Sequence, residues 1–307
     1  MKLEEINCPI CASKDFDLLL KAKDYRLRFF EDIFNIVKCR NCEFIFLNPR
    51  PSQDEFLNFY PTDFHKNDTS LLYKIIEPCF TISLKNTIRT LKRYKKQGKI
   101  LDIGCGNGSF ILAMQKHGYD VWGVELNPEA QKYTPLNFKG RIFFQELKEC
   151  KFPEKSFDII TMFQSLEHVA DLGTLFTEIR RIIKDKGIFY ICVPNADFFE
   201  SRLFGSYYYN LEVPRHFYFF TCKTLGNLLT RNGFNAFRVV RDNIFESVLT
   251  PASFYHGLWN FLSDKNILRN RILKYLSFLP LVIVRLFLRL FFIFDSQNLK
   301  IIFQRSC

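Results

Sequence analysis

The chain has 307 residues, 48% of them hydrophobic and 24% charged, a balance that excludes both wholesale disorder and a polytopic membrane protein. That length can bury one full α/β core and still carry a small second module. The net charge of +11 is uneven: residues 1–60 hold 9 basic and 10 acidic side chains and residues 100–200 hold 11 and 14, so the excess falls in 61–99 (9 against 3), 201–260 (6 against 3) and 261–307 (8 against 2). Such basic stretches are either solvated helix faces or contacts to an anionic membrane or nucleic acid. Met1 to Asn7 has no apolar run, so a cytoplasmic compartment is expected.

The first block, residues 1–60, pairs Cys8-Pro9-Ile10-Cys11 with Cys39-Arg40-Asn41-Cys42. Two such knuckles can supply four thiolates at tetrahedral geometry, and a metal can fold a module too small to be held by its own core. One structural Zn2+ on Cys8, Cys11, Cys39 and Cys42 is therefore expected; the other readings are a metal-free remnant or a redox pair. Three prolines between Pro49 and Pro61 mark the end of the block. Residues 61–98 have helical spacing from Ser70 to Lys96, interrupted at Pro78 and stopped at Gly98.

From Lys99 strands and helices alternate. Strands are predicted at Ile100–Ile103, Asp120–Val124, Arg141–Phe144, Phe157–Phe163 and Gly187–Val193, and helices at Phe110–Lys116, Pro128–Tyr133 and Leu172–Lys184. The pattern predicts an α/β fold with a largely parallel sheet and helices on both faces. Pro194 to Thr221 breaks the rhythm with ten aromatic residues from Phe198 to Phe220, read as a lid carrying Arg215 and His216 as polar anchors. A helix at Lys223–Arg231 and strands at Ala236–Val240 and Leu299–Phe303 complete the expected domain, 99–245 plus 296–307. The intervening 246–295 reads as a helical insertion. Within it 268–294 is apolar but carries Arg269, Arg271, Lys274, Arg285 and Arg289, and its longest uncharged run is too short to span a bilayer. It is either a peripheral membrane contact or a packing surface.

The chemistry centres on Leu101-Asp102-Ile103-Gly104-Cys105-Gly106-Asn107-Gly108-Ser109. A strand ends, alternate glycines let the backbone approach a ligand, and a helix begins. Ser109 stands where a dinucleotide-binding turn has its last glycine, which argues against a dinucleotide-dependent oxidoreductase or epimerase. Glu125 ends the next strand, suited to accept hydrogen bonds from two ribose hydroxyls. Glu146 follows near another strand end, and Phe157-Asp158-Ile159-Ile160 leads to Gln164-Ser165-Leu166-Glu167-His168.

In order and interval, these elements resemble the class I S-adenosylmethionine-dependent methyltransferases with a D-x-G-C-G-x-G turn, over about residues 98 to 240. The cysteine pairs are similar to the zinc-binding front module of some bacterial members. The resemblance implies a Rossmann-like seven-stranded sheet beside a zinc-ribbon-like module. It implies that Asp102, Gly104, Cys105 and Gly106 line the methionine end of the cofactor, with the turn running to Gly108. Glu125 followed by Leu126 would hold the ribose, Glu146 and Leu147 would face the adenine, and Gln164 would lie near the methyl group. Imidazole suits proton removal near neutral pH, so His216 and His168 are the candidate bases. The acceptor is expected to be a small molecule, a saccharide or a lipid-linked compound. RNA or DNA modification is disfavoured because residues 1–60 are net acidic. The oligomeric state is left open.

Overall fold

In the computed structural model, residues 2–60, 71–135, 138, 140–240, 252–264 and 297–305 are described. The 268–294 stretch and most of the 246–295 insertion lie outside them. In chain order the strands are β1 (Leu3–Glu4), β2 (Phe16–Ala22), β3 (Phe34–Cys39), β4 (Ile45–Leu47), β5 (Arg50–Pro51), β6 (Lys99–Ile103), β7 (Asp120–Val124), β8 (Ile142–Phe143), β9 (Phe157–Phe163), β10 (Ile183–Pro194), β11 (Tyr218–Phe219), β12 (Phe234–Val240) and β13 (Asn298–Arg305). The helices are α1 (Leu71–Tyr94), α2 (Ser109–Lys116), α3 (Leu172–Ile182), α4 (Phe199–Phe204), α5 (Cys222–Arg231) and α6 (Ala252–Asp264). α1 runs through Pro78, which removes one backbone donor without ending the helix.

The chain divides into two compact units. One gathers Met1–Phe59, Pro194–Thr224 and Arg241–Asn298; the other holds Tyr60–Val193, Leu225–Val240 and Leu299–Cys307. This division differs from the one expected from sequence, where 194–224 belonged with the glycine turn and 61–98 stood apart.

The second unit is built on a sheet of order β12-β13-β10-β9-β6-β7-β8. The pairs β10–β9, β9–β6, β6–β7 and β7–β8 are parallel, and β12 and β13 run antiparallel to each other. β6 and β9 are nearly continuous buried apolar runs, as parallel strands covered on both faces must be. α3 buries Leu172, Leu175, Phe176, Ile179 and Ile182, the stripe of an amphipathic helix, and Asp171 caps it by accepting from Thr174 N at 3.0 Å. The core joins Ile100, Val121, Ile159, Ile188 and Ile302 to Leu91 of α1 and Met114 of α2. Each such side chain contributes about 1.5 to 3 kcal/mol by leaving water.

The first unit carries an antiparallel sheet of order β11-β4-β3-β2. Its outer strand β11 comes from the aromatic stretch, with Tyr218 opposite Phe46 and Phe219 opposite Ile45. The expected aromatic lid is therefore corrected. Phe217, Tyr218, Phe219 and Phe220 are buried, with Phe44 packed 5.7 Å from Tyr218 and 5.6 Å from Phe220. Phe198, Phe199, Phe204 and Tyr208 form a separate core with Phe254 of α6. The stretch folds because its aromatic side chains find partners in residues 1–59 and in α6, far away in sequence.

Candidate functional site

β6 delivers the glycine turn. Gly104 N and Cys105 N both donate to the Val124 carbonyl, at 2.8 and 3.1 Å, which bends the chain over the end of β7. Gly104, Gly106 and Gly108 all have positive φ, at 74, 53 and 83°. At Gly104 a side chain is excluded twice, because a Cβ would also lie 2.5 Å from Ser165 Cβ. Gly123 is needed for another reason: a Cβ there would lie 2.7 Å from the sulfur of Cys105.

Glu125 sits at the mouth of this turn, 8% exposed. Its Oε2 accepts from Gly106 N at 2.8 Å and its Oε1 from Asn127 N at 2.9 Å. The carboxylate is thereby fixed in direction while each oxygen keeps a lone pair for a further donor. Leu126 beside it exposes 39% of its surface, an apolar face next to a polar anchor. Glu146 opens a 3₁₀ turn, Leu147–Cys150, and pairs with Lys148 at 3.1 Å, while Leu147 is buried.

Asp102 is 2% exposed and accepts from Thr161 Oγ1 at 2.7 Å. Burial lifts its carboxyl to about 7; the Thr161 hydrogen bond opposes this and the nearby Glu125 charge adds to it. Cys105 is likewise pushed well up by burial, so it stays a thiol. Gln164 directly follows β9 with φ of 48°, a conformation uncommon outside glycine, and its Nε2 donates to Cys192 Sγ at 3.6 Å. All the expected cofactor-binding residues thus fall in the second unit.

The two expected bases belong to different units. His168 lies in the second unit, in the turn Leu166–His168, with Nδ1 3.0 Å from the Tyr60 hydroxyl. Before it, Glu167 is fully buried, and burial pushes its carboxyl to about 8 against the opposing effect of its own backbone N–H. His216 lies in the first unit, 3% exposed, with Nδ1 2.9 Å from the Asn210 carbonyl. Arg215, expected as an anchor for the acceptor, is instead fully buried and paired with Asp24 at 2.9 Å. Its charge is taken up inside the protein. The sequence reading gave no role to Thr161, Ser165, Asp24 or Glu212, because each acts through a partner distant in the chain: Asp102, Gly104, Arg215 and Arg26 respectively.

The four cysteines come together in the first unit. Their sulfurs all lie within 4.8 Å of one another, with Cys8–Cys42 and Cys11–Cys39 at 3.5 Å. Tetrahedral zinc with thiolates at about 2.3 Å sets sulfur–sulfur edges near 3.8 Å, so the cluster fits such an ion. Each knuckle is closed by backbone bonds, Ala12 N to Cys8 O at 2.8 Å and Glu43 N to Cys39 O at 2.9 Å.

Comparison with known proteins adds to this geometry. A ubiquinone biosynthesis O-methyltransferase from Histophilus somni is 30% identical over 110 residues, covering 33% of this chain and 46% of that protein. A 2-methyl-6-phytyl-1,4-hydroquinone methyltransferase from Synechocystis is 28% identical over 94 residues, 29% of this chain and 30% of that protein. The chain spans about half the length, or less, of these curated relatives. The cyclopropane synthase MmaA2 of Mycobacterium tuberculosis shares the fold, with a TM-score of 0.52 at 15% identity over 82% of this chain and 94% of that one. The family described as a methyltransferase domain matches residues 78–239, more than half of the sequence, and the chain belongs to that family of class I methyltransferases.

Proposed function

We propose that this protein transfers a methyl group from S-adenosylmethionine to a small-molecule, saccharide or lipid-linked acceptor. The observation that carries the reading is the Glu125 carboxylate, clamped by Gly106 N and Asn127 N at the mouth of a turn that admits no side chain at Gly104. The cofactor, when bound, supplies a methyl group on a sulfonium that is already a good leaving group. The protein's part is then to bind, align and exclude water. Glu125 accepts from the ribose hydroxyls, Leu126 and Leu147 offer apolar surface to the adenine with Glu146 at its edge, and Asp102, Cys105 and the glycines of the turn surround the methionine end. Gln164 stands at the methyl end.

His216 is the base for an acceptor that must lose a proton. Its Nδ1 faces a carbonyl, which can only accept, so Nδ1 carries a proton, and whenever the ring is neutral the lone pair is on Nε2. His168 is the second candidate. Cys8, Cys11, Cys39 and Cys42 hold one structural zinc, all four positions being filled by thiolates. The phytyl group in the name of one relative favours a lipid-linked acceptor, and residues 268–294 would serve for peripheral contact with the inner face of a membrane; this part rests on sequence alone.

Calorimetry with S-adenosylhomocysteine and NAD side by side tests the central claim. The homocysteine should bind, NAD should not, and Glu125→Ala should weaken binding by about 1 to 3 kcal/mol. An unchanged affinity in that variant would reject the assignment. His216→Ala should keep cofactor affinity and lose about 100-fold in turnover with a responsive acceptor.

A further inference from the structure

The loop between β2 and β3 carries a buried charge whose partner is 191 residues away. Asp24 Oδ1 accepts from Leu27 N and Oδ2 from Phe29 N, both at 3.2 Å, so the side chain first fixes its own turn. The same two oxygens accept from Arg215: Nη2 to Oδ1 at 2.9 Å and Nη1 to Oδ2 at 3.2 Å. Both side chains are 0% exposed. A planar guanidinium on a carboxylate fork has a single direction, and burial removes the water that would otherwise loosen it.

That fork holds the residue before His216. Arg215 N and His216 N both donate to the Glu212 carbonyl, at 2.8 and 3.2 Å, and the Glu212 side chain is ion-paired with Arg26, two residues after Asp24. Glu212 Oε1 lies 3.8 Å from His216 Nε2, and Arg26 sits 4.9 Å over the ring of Tyr209. The imidazole is thus bracketed by a segment whose two ends are tied to the Asp24–Arg26 turn, while its Nδ1 is tied to Asn210. The charges of Asp24, Arg26, Glu212 and Arg215 cancel, so the network orients the ring without adding net charge beside it.

We propose that Asp24 is a positioning residue for His216: acting through the Arg215 fork, and together with the Arg26–Glu212 pair, it holds the imidazole in one orientation and one tautomer. The inference rests on the reading of His216 as the base and assigns to residues 24–26 a part in presenting it.

The test is the nitrogen spectrum of 15N-histidine-labelled protein, with the His216 signals identified by His216→Gln. At neutral pH the wild-type ring should be a single Nδ1–H tautomer, and a mixture there overturns the proposal at once. Asp24→Asn keeps the shape and loses the charge. Its ring should show both tautomers, while S-adenosylhomocysteine affinity stays within about twofold. Because one unpaired buried charge can unfold a protein, Asp24→Leu/Arg215→Met, which removes both charges together, gives a second arm. A cooperative melt with mixed tautomers in that double variant supports the proposal. A single Nδ1–H tautomer in either folded variant overturns it, and so does loss of folding in both, which would make the pair an element of stability alone. The readout needs no acceptor. Full turnover in His216→Ala would therefore remove the base assignment without touching this result.

Discussion

Asp102 and Glu167 are carboxyl groups that burial lifts into the neutral range, and the consequences differ in sign with what surrounds them. Asp102, lifted to about 7, is expected beside a cofactor with net positive charge, which favours the carboxylate. The complex then holds fewer protons than the free protein, so S-adenosylmethionine affinity should rise between pH 6 and 8, by up to roughly tenfold. Calorimetry in two buffers of different ionisation enthalpy reads the released proton, and Asp102→Asn should flatten the dependence. Burial pushes the Glu167 carboxyl to about 8, opposed only in part by its own backbone N–H. The folded state keeps that proton while the unfolded chain releases it near the ordinary glutamate value, so the protein loses stability as pH rises from about 4 towards 8. Glu167→Gln should be more stable than the parent at pH 8 by about 1 to 3 kcal/mol, with the gap closing at pH 4.5, as measured by urea unfolding. Neither displacement could be read from the chain alone, since each follows from burial.

Among the elements, the glycine turn was legible because its constraint is local: a strand, alternate glycines and a helix start occupy ten consecutive residues. Gly104→Ala should cost about 1 to 3 kcal/mol and abolish cofactor binding, through a φ of 74° and the clash with Ser165 together. Adding Ser165→Gly should recover the steric part of that loss, measured by thermal melting, and leave the φ part. α3 was legible for a similar reason, a single apolar stripe behind an Asp171 cap. The aromatic stretch misled because density in Phe and Tyr reports burial without naming the partner. Its strand β11 pairs with β4 across more than 170 residues, and no periodicity within 194–221 encodes that register.

For the whole molecule, the two units were legible only as a cysteine block and a methyltransferase body. The first unit was hidden because three separate stretches of chain build it. If the four thiolates hold zinc, a strong chelator should loosen the sheet they close while the glycine turn keeps its ligand. Hydrogen exchange should then show lost protection at 34–47 and 218–219 with S-adenosylhomocysteine affinity unchanged. Retained protection at 218–219 after complete metal removal would mean that the aromatic packing holds the sheet unaided. Liposome co-sedimentation at low salt addresses 268–294, and no pelleting with anionic vesicles would end the membrane reading.

The pairing of β11 with β4 also sets an order of events at the ribosome. β4 emerges early, but its outer edge waits for Tyr218 and Phe219. At ~5–20 residues per second the wait is roughly 10 to 30 s. Throughout that interval the nascent chain presents a bare strand edge, Ile45-Phe46-Leu47, beside an unshielded Phe44. Such an edge is a template for pairing with a neighbouring chain, so crowded synthesis should favour aggregation, and a holdase that covers this stretch should raise soluble yield.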